Sequence, residues 1–96
     1  MFIVSLTYKV PLEKIDEELD NHIRFLKKQY ALNNFHASGR KVPRTGGIIL
    51  SLLNDKSKLE AILNEDPFSK KDLAKYDIIE FVPSMTSDEL TSLLST

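Results

Sequence analysis

Apolar and polar residues alternate from Phe2 to Val10: Phe2, Val4, Leu6, Tyr8 and Val10 share one face, and Ile3, Ser5, Thr7 and Lys9 share the other. A period of two is the signature of a strand, and Pro11, with no N–H for a ladder, ends it. The period then changes. From Leu12 to about Leu32 the apolar positions 12, 15, 19, 22 or 23, 26 and 30 recur with helical spacing, which predicts one long helix with that stripe turned inward. Its charges run from acidic (Glu13, Asp16, Glu17, Glu18) to basic (Arg24, Lys27, Lys28), the order that complements the helix dipole.

Asn33-Asn34 provides a stop, and Phe35-His36-Ala37-Ser38 reads as a short second strand leading into Gly39. A long connection is expected next. It carries all three glycines (39, 46 and 47) with Arg40, Lys41, Pro43 and Arg44, so backbone freedom and positive charge are concentrated there. Ile48 to Leu53 is apolar except at Ser51, the pattern of a central strand buried on both faces. Asp55 or Ser57 caps a second helix, with Ser57 and Glu60 in capping-box spacing and Leu59, Ile62 and Leu63 facing inward. After Asn64-Glu65, Asp66-Pro67 has the form of an N-cap followed by proline at the first helical position, predicting a short helical turn over 67–74. Tyr76 to Val82 is the last strand, stopped by Pro83, and Ser87-Asp88-Glu89-Leu90 opens a short C-terminal helix with Leu90, Leu93 and Leu94 as its stripe.

This order predicts an α+β fold: a ferredoxin-like βαββαβ sandwich, an antiparallel sheet with helices on one face, plus a short C-terminal helix. The opposite sheet face is also apolar, and a second copy of the chain is the simplest cover, so a homodimer is expected. Ninety-six residues with 42% hydrophobic content fit a single domain over 1–96, its core about 2–83 and residues 84–96 an extension.

The net charge of −1 argues against whole-surface attraction to nucleic acid or an anionic membrane, so any anion site must be local. With no cysteine there are no disulfides, thiolate zinc sites or cysteine nucleophiles, which is compatible with a reducing cytoplasm. The first residues carry no basic segment, and Lys9 breaks the apolar run well short of the roughly 20 residues a membrane span needs. A cytoplasmic protein is expected.

The candidate chemistry rests on His22 and Asp66. His22 lies seven positions after Ile15 and four before Leu26, so it points with the apolar stripe toward the sheet. Taken alone it reads as a core histidine, and Asp66 taken alone reads as a helix cap. Together they form a possible acid/base pair, because a carboxylate fixes an imidazole tautomer and favours its charged form. One oxygen of Asp66 would take a backbone N–H while the other orients His22.

Three segments in this order resemble the YciI-like family. They are Asn21-His22-Ile23-Arg24-Phe25-Leu26; Ala37-Ser38-Gly39 ahead of Pro43-Arg44-Thr45-Gly46-Gly47-Ile48-Ile49; and Asp66-Pro67-Phe68. The resemblance spans residues 2 to about 83. It implies a dimeric α/β barrel built on the ferredoxin-like fold, with His22 and Asp66 in the positions of the family's catalytic pair and Ser38-Gly39 in the pocket wall. In one departure Arg40 stands where the family often has proline, and the proline is delayed to Pro43.

Within the glycine-rich connection, Arg44 and the Gly46-Gly47 backbone are the expected holders of a substrate carboxylate, Arg44 being favoured over Arg40 by its Pro-Arg-Thr-Gly-Gly context. The segment lacks the Gly-Lys-Ser/Thr ending of a phosphate loop. His36 reads as an edge or surface residue, and two histidines on separate elements form no ligand set, so no metal or cofactor is expected. Tyr8, Tyr76 and Phe81 read as core or interface aromatics, Tyr8 also as a possible pocket hydroxyl. An RNA-binding sheet would need exposed aromatics on its central strands, and Gly47-Ile48-Ile49-Leu50-Ser51-Leu52 has none. The leading expectation is an enzyme moving a proton on a small organic acid, as a lyase, an isomerase or a dehalogenating eliminase. The alternative is a non-catalytic dimeric module that binds a metabolite or a protein.

Overall fold

In the computed structural model, which describes residues 1–94, β1 (Phe2–Tyr8) is an inner strand of a four-stranded sheet. The strand order is β2-β3-β1-β4, with β2 at Ala37–Arg40, β3 at Gly46–Ser51 and β4 at Ala74–Glu80, and every pairing is antiparallel. Helix α1 (Leu12–Ala31) connects β1 to β2. Helix α2 (Lys56–Leu63) and the short α3 (Pro67–Lys70) connect β3 to β4. The fold is α+β and ferredoxin-like, with α3 as an added turn.

Period-two alternation fixes which side of β1 is covered. Phe2, Val4 and Leu6 are buried against the helices, and the register sets Val4 between Ile49 and Ile78 on that face. Ile15 and Phe25 from α1, Leu59 and Leu63 from α2, and Phe35, Phe68 and Leu73 complete this core. The other face carries Ile3, Ile48, Leu50 and Ile79; the first three are half-buried and Ile79 is exposed. Thus Ile48 to Leu53 is not buried on both sides within one chain, because the helices cover only one.

The stripe of α1 is rotated from its expected position. Ile15, Glu18, Phe25 and Gln29 are the buried residues, while Leu19, His22, Leu26 and Tyr30 are half-buried and Leu12 and Ile23 exposed. Two polar side chains enter the buried set because they find partners: Glu18 accepts from Asn21 and pairs with Lys71, and Gln29 accepts from Asn34. Lys71 first, and Asn21 second, hold the Glu18 carboxyl below its usual range. Asn33 ends the helix in the left-handed region (φ 60°), and Asn33 and Asn34 donate to Tyr30 and Gln29, a Schellman arrangement in which asparagine replaces the usual glycine.

Several boundaries move. The second strand starts at Ala37, since Phe35 turns into the core, and it continues through Arg40. β3 starts at Gly46, so the connection is only residues 41–45, with a cis peptide at Val42-Pro43. All three glycines therefore lie in strands, and none has a positive φ. Gly46 is needed for closeness: a Cβ there would lie 1.7 Å from the Leu6 carbonyl oxygen.

Asp55, not Ser57, caps α2, accepting from Lys58 N–H at 3.2 Å. The turn after Pro67 closes at Lys70 and the last strand runs from Ala74 to Glu80, two residues earlier than its hydrophobicity suggests. At the C-terminus, Asp88–Leu94 forms 3₁₀ turns broken at Leu90, and Leu90 and Leu94 stay exposed. Ser95 and Thr96, the end of the expected extension, lie outside the described residues. Among the described residues no helix is long and apolar enough to cross a membrane.

Candidate functional site

Asp66 is the fixed point of the site. Its backbone begins α3 and its side chain caps it, Oδ1 accepting from Phe68 N–H at 3.0 Å, while Pro67 occupies the first helical position. The same Oδ1 lies 2.8 Å from His22 Nδ1, and Oδ2 accepts from the Tyr76 hydroxyl at 2.5 Å. The division of labour expected for the two oxygens is thus different: cap and histidine share one, and a tyrosine takes the other. Asp66 has no solvent exposure, and a buried carboxylate demands donors of this kind.

Tyr76 is the residue that sequence reasoning missed in this cluster. On β4 it pairs with Leu6 of β1, which turns its side chain toward the helices and under Asp66. Burial, and then the adjacent Asp66 carboxylate, push the Tyr76 phenol well above its ordinary pKa, so it stays protonated as the donor. Nothing local in Ala74-Lys75-Tyr76-Asp77 marks this role, because it exists only through the strand register.

His22 is held from two sides. Its ring lies flat on Phe68, with centroids 4.0 Å apart and planes within 4°, and Nδ1 is engaged by Asp66. When Nδ1 carries the proton donated to the carboxylate, Nε2 carries the lone pair. His22 lines the adjoining cavity, and Nε2, which makes no hydrogen bond among the described residues, is the nitrogen left for a ligand.

That cavity has a volume of about 180 Å³ and lies between α1, α3 and the helix-facing side of β1, β2 and β3. Leu6, Leu19, Ile23, Leu26 and Ile49 make its lining largely apolar. This explains the rotated stripe of α1: Leu19, His22, Ile23 and Leu26 face an unfilled space. Of the expected substrate-binding residues, Ser38, Gly39 and Gly47 line the cavity. Ser38 Oγ is 2.6 Å from the Tyr30 hydroxyl, which fixes it at the cavity's edge. Tyr8 lines it too.

Arg44 and Gly46 do not belong to that lining. Arg44 donates to Asp16 Oδ1 at 2.6 Å, and Asp16, with Tyr8 nearby, holds the guanidinium pKa above its usual range. Gly46 is packed against the Leu6 backbone. The lining arginine is Arg40, whose place opposite Gly47 in the register turns it to the helix side. His36 is exposed, its Nδ1 accepting from Leu52 N–H at 3.3 Å. Among the described residues, no three histidine or acidic side chains converge as a metal-ligand set.

Comparisons with known proteins agree with the fold. The YCII-related domain family matches the chain over residues 1–82. No curated protein sequence matches it. Among solved structures, one similar chain is the 5-chloro-2-hydroxyhydroquinone dehydrochlorinase (TftG) of Burkholderia phenoliruptrix AC1100 in complex with 2,5-dihydroxybenzoquinone. The two align with a TM-score of 0.70 and 15% identity, over 84% of this chain and 93% of the other, a likeness of fold.

Proposed function

Because the chain belongs to the YCII-related domain family, we propose that it is a small-molecule enzyme in which His22, oriented by Asp66, transfers a proton on a small organic acid. The observation that carries this reading is the 2.8 Å contact between His22 Nδ1 and Asp66 beside a largely apolar cavity that His22 lines, with Nε2 not engaged by the contact.

Each neighbour has a part in that chemistry. Asp66 keeps the proton on Nδ1 and stabilises the imidazolium once Nε2 has taken a second one. Phe68 N–H and the Tyr76 hydroxyl hold Asp66 in one rotamer, so little reorganisation accompanies the transfer. The flat Phe68 ring keeps the imidazole from tilting. In a chlorinated hydroxyquinol, taken as the keto tautomer whose chlorine-bearing carbon is saturated, Nε2 removes the proton of a ring hydroxyl; the O–H pair becomes a carbonyl, the ring double bond shifts to the chlorine-bearing carbon, and chloride leaves with its own pair. In an acid with its leaving group on a saturated carbon, Nε2 removes a proton from the neighbouring carbon. The C–H electron pair becomes the new double bond, and the leaving group departs with its own pair as an anion. In an isomerisation the imidazolium returns the proton to a different carbon.

The cavity limits substrate size. A cavity of about 150 Å³ accepts benzene, so about 180 Å³ suits one ring with few substituents, or an acyclic acid of similar bulk. The structural neighbour described as a dehydrochlorinase, in complex with a dihydroxybenzoquinone, supports a dehalogenating elimination as the first reaction to try. We also propose that the chain acts as a homodimer, since Ile3, Ile48, Leu50 and Ile79 make an apolar sheet face that the helices leave uncovered.

The test is turnover on a panel of chlorinated hydroxyquinols and 2-chloro acids, read as chloride release and as exchange of substrate hydrogen with deuterated water. His22→Ala and Asp66→Asn should each lower the rate by about 10²–10⁴-fold. Full activity in both variants would remove the pair from the mechanism. Ligand-dependent stabilisation without turnover on any compound would instead favour the non-catalytic binding module.

A further inference from the structure

The charge of the cavity is one-sided. Its lining contains no aspartate or glutamate, and Arg40 is its only permanently charged side chain. Five cations elsewhere are paired with carboxylates: Lys9 with Asp72, Lys14 with Glu17, Arg44 with Asp16, Lys71 with Glu18 and Lys75 with Asp77. Arg40 has no carboxylate or hydrogen-bond partner among the described residues. Its backbone is nevertheless fixed in β2, two positions from Ser38 and on the same face, and its cross-strand partner Gly47 has no side chain to stand between the guanidinium and the cavity.

We infer that Arg40 is the specificity-determining residue of the cavity and that the ligand is a one-ring or similarly compact organic anion whose acidic oxygens meet Arg40 while its apolar body lies against Leu6, Leu26 and Ile49. This rests on the cavity being the substrate site proposed above, and it adds the residue that reads the acid's charge and the end of the cavity where that charge lies. A guanidinium matches a carboxylate or a pair of ionised ring oxygens through parallel N–H donors. The low-dielectric wall beside it strengthens that attraction relative to open water. The anionic end is thereby held at the β2 edge of the cavity, with the rest of the ligand free to reach His22. An anion there also keeps the electron pair released by proton removal near a positive charge.

The experiment is a binding titration of the full chain, followed by NMR shifts of cavity amides, with four probes. Benzoate and its neutral isostere benzamide test a carboxylate; 2,5-dihydroxybenzoquinone, ionised at neutral pH, and neutral hydroquinone test ring oxygens. The wild type should prefer at least one anion over its neutral counterpart by about tenfold. The pair that shows the preference identifies the acidic group. Arg40→Gln should abolish that preference while leaving the affinity for the neutral probe unchanged, and Arg40→Lys should retain part of it. Arg44→Gln, whose side chain is engaged by Asp16, should behave as wild type.

Preference retained in Arg40→Gln, or no preference or binding by the wild type, would overturn the inference. His22→Gln separates this from the catalytic reading. Anion preference intact with turnover lost supports both. Anion preference that depends on Arg40 while His22→Gln retains turnover would sink proton transfer by His22 and leave the anion site standing.

Discussion

Asp66 shows how one side chain serves a local and a distant purpose. As an N-cap it needs only Phe68 N–H, yet its buried oxygens also meet His22 and Tyr76. Removing the tyrosine donor leaves Oδ2 buried without a partner, so Tyr76→Phe should destabilise the protein by about 1–3 kcal/mol, measured by urea unfolding at pH 7. The pH dependence follows from the same contact. The phenol's pKa is raised in the folded protein, so the stability linked to it is complete below the unfolded tyrosine pKa near 10. Above that pH the unfolded chain releases a proton that the folded chain retains, and Tyr76 contributes a loss of about 1.4 kcal/mol per pH unit. Unfolding free energies measured at pH 9, 10 and 11 should fall less steeply in Tyr76→Phe than in the wild type; parallel curves would mean that the hydroxyl is not held as described.

At the scale of elements, strand contact sets the demand for small residues. Gly46 faces Thr7 across the β1–β3 ladder, and any Cβ there would run into the Leu6 backbone, which cannot move aside as a flexible side chain would. Gly46→Ala should therefore cost at least about 3 kcal/mol or abolish folding. Gly39→Ala, with nothing within 4 Å of the new Cβ, should be tolerated. Thermal melts of the two variants make the comparison; similar melting temperatures would contradict the close approach of β1 and β3. The same element pair explains why a glycine cluster that suggests a flexible anion loop on sequence grounds is ladder instead. Composition records small size but does not distinguish freedom from crowding.

For the whole molecule, the helices cover one face of the sheet and the other keeps Ile79 exposed beside half-buried Ile3. If a second copy covers this face, sedimentation equilibrium should give twice the 11.0 kDa chain mass. Ile79→Lys should shift the population toward monomer, because an unpaired cation would then be buried in the interface. A wild type that stays monomeric at high concentration would remove the homodimer. The half-open cavity is lined by α1, α3 and three strands of one chain, so folding of the monomer is enough to assemble His22, Asp66 and Tyr76.

By itself the sequence determined the element order, the covered face of β1, the long helix with its dipole-matched charges and the Asp66-Pro67 cap. These follow from periodicity and from backbone chemistry acting within a few residues. Local facing alone made His22 a core residue and Asp66 a cap; their order with the Ser38-Gly39 to Gly47 segment, which resembles the family's, is what made them legible as a candidate pair. Register, burial and partner choice were decided only in three dimensions. Pairing Tyr76 with Leu6 brings a phenol to Asp66, pairing Arg40 with Gly47 turns a cation toward the cavity, and Asp16 engages the Arg44 that local context favoured. Such contacts join residues tens of positions apart, and no local pattern encodes which of several equivalent cations or tyrosines a distant strand will bring within reach.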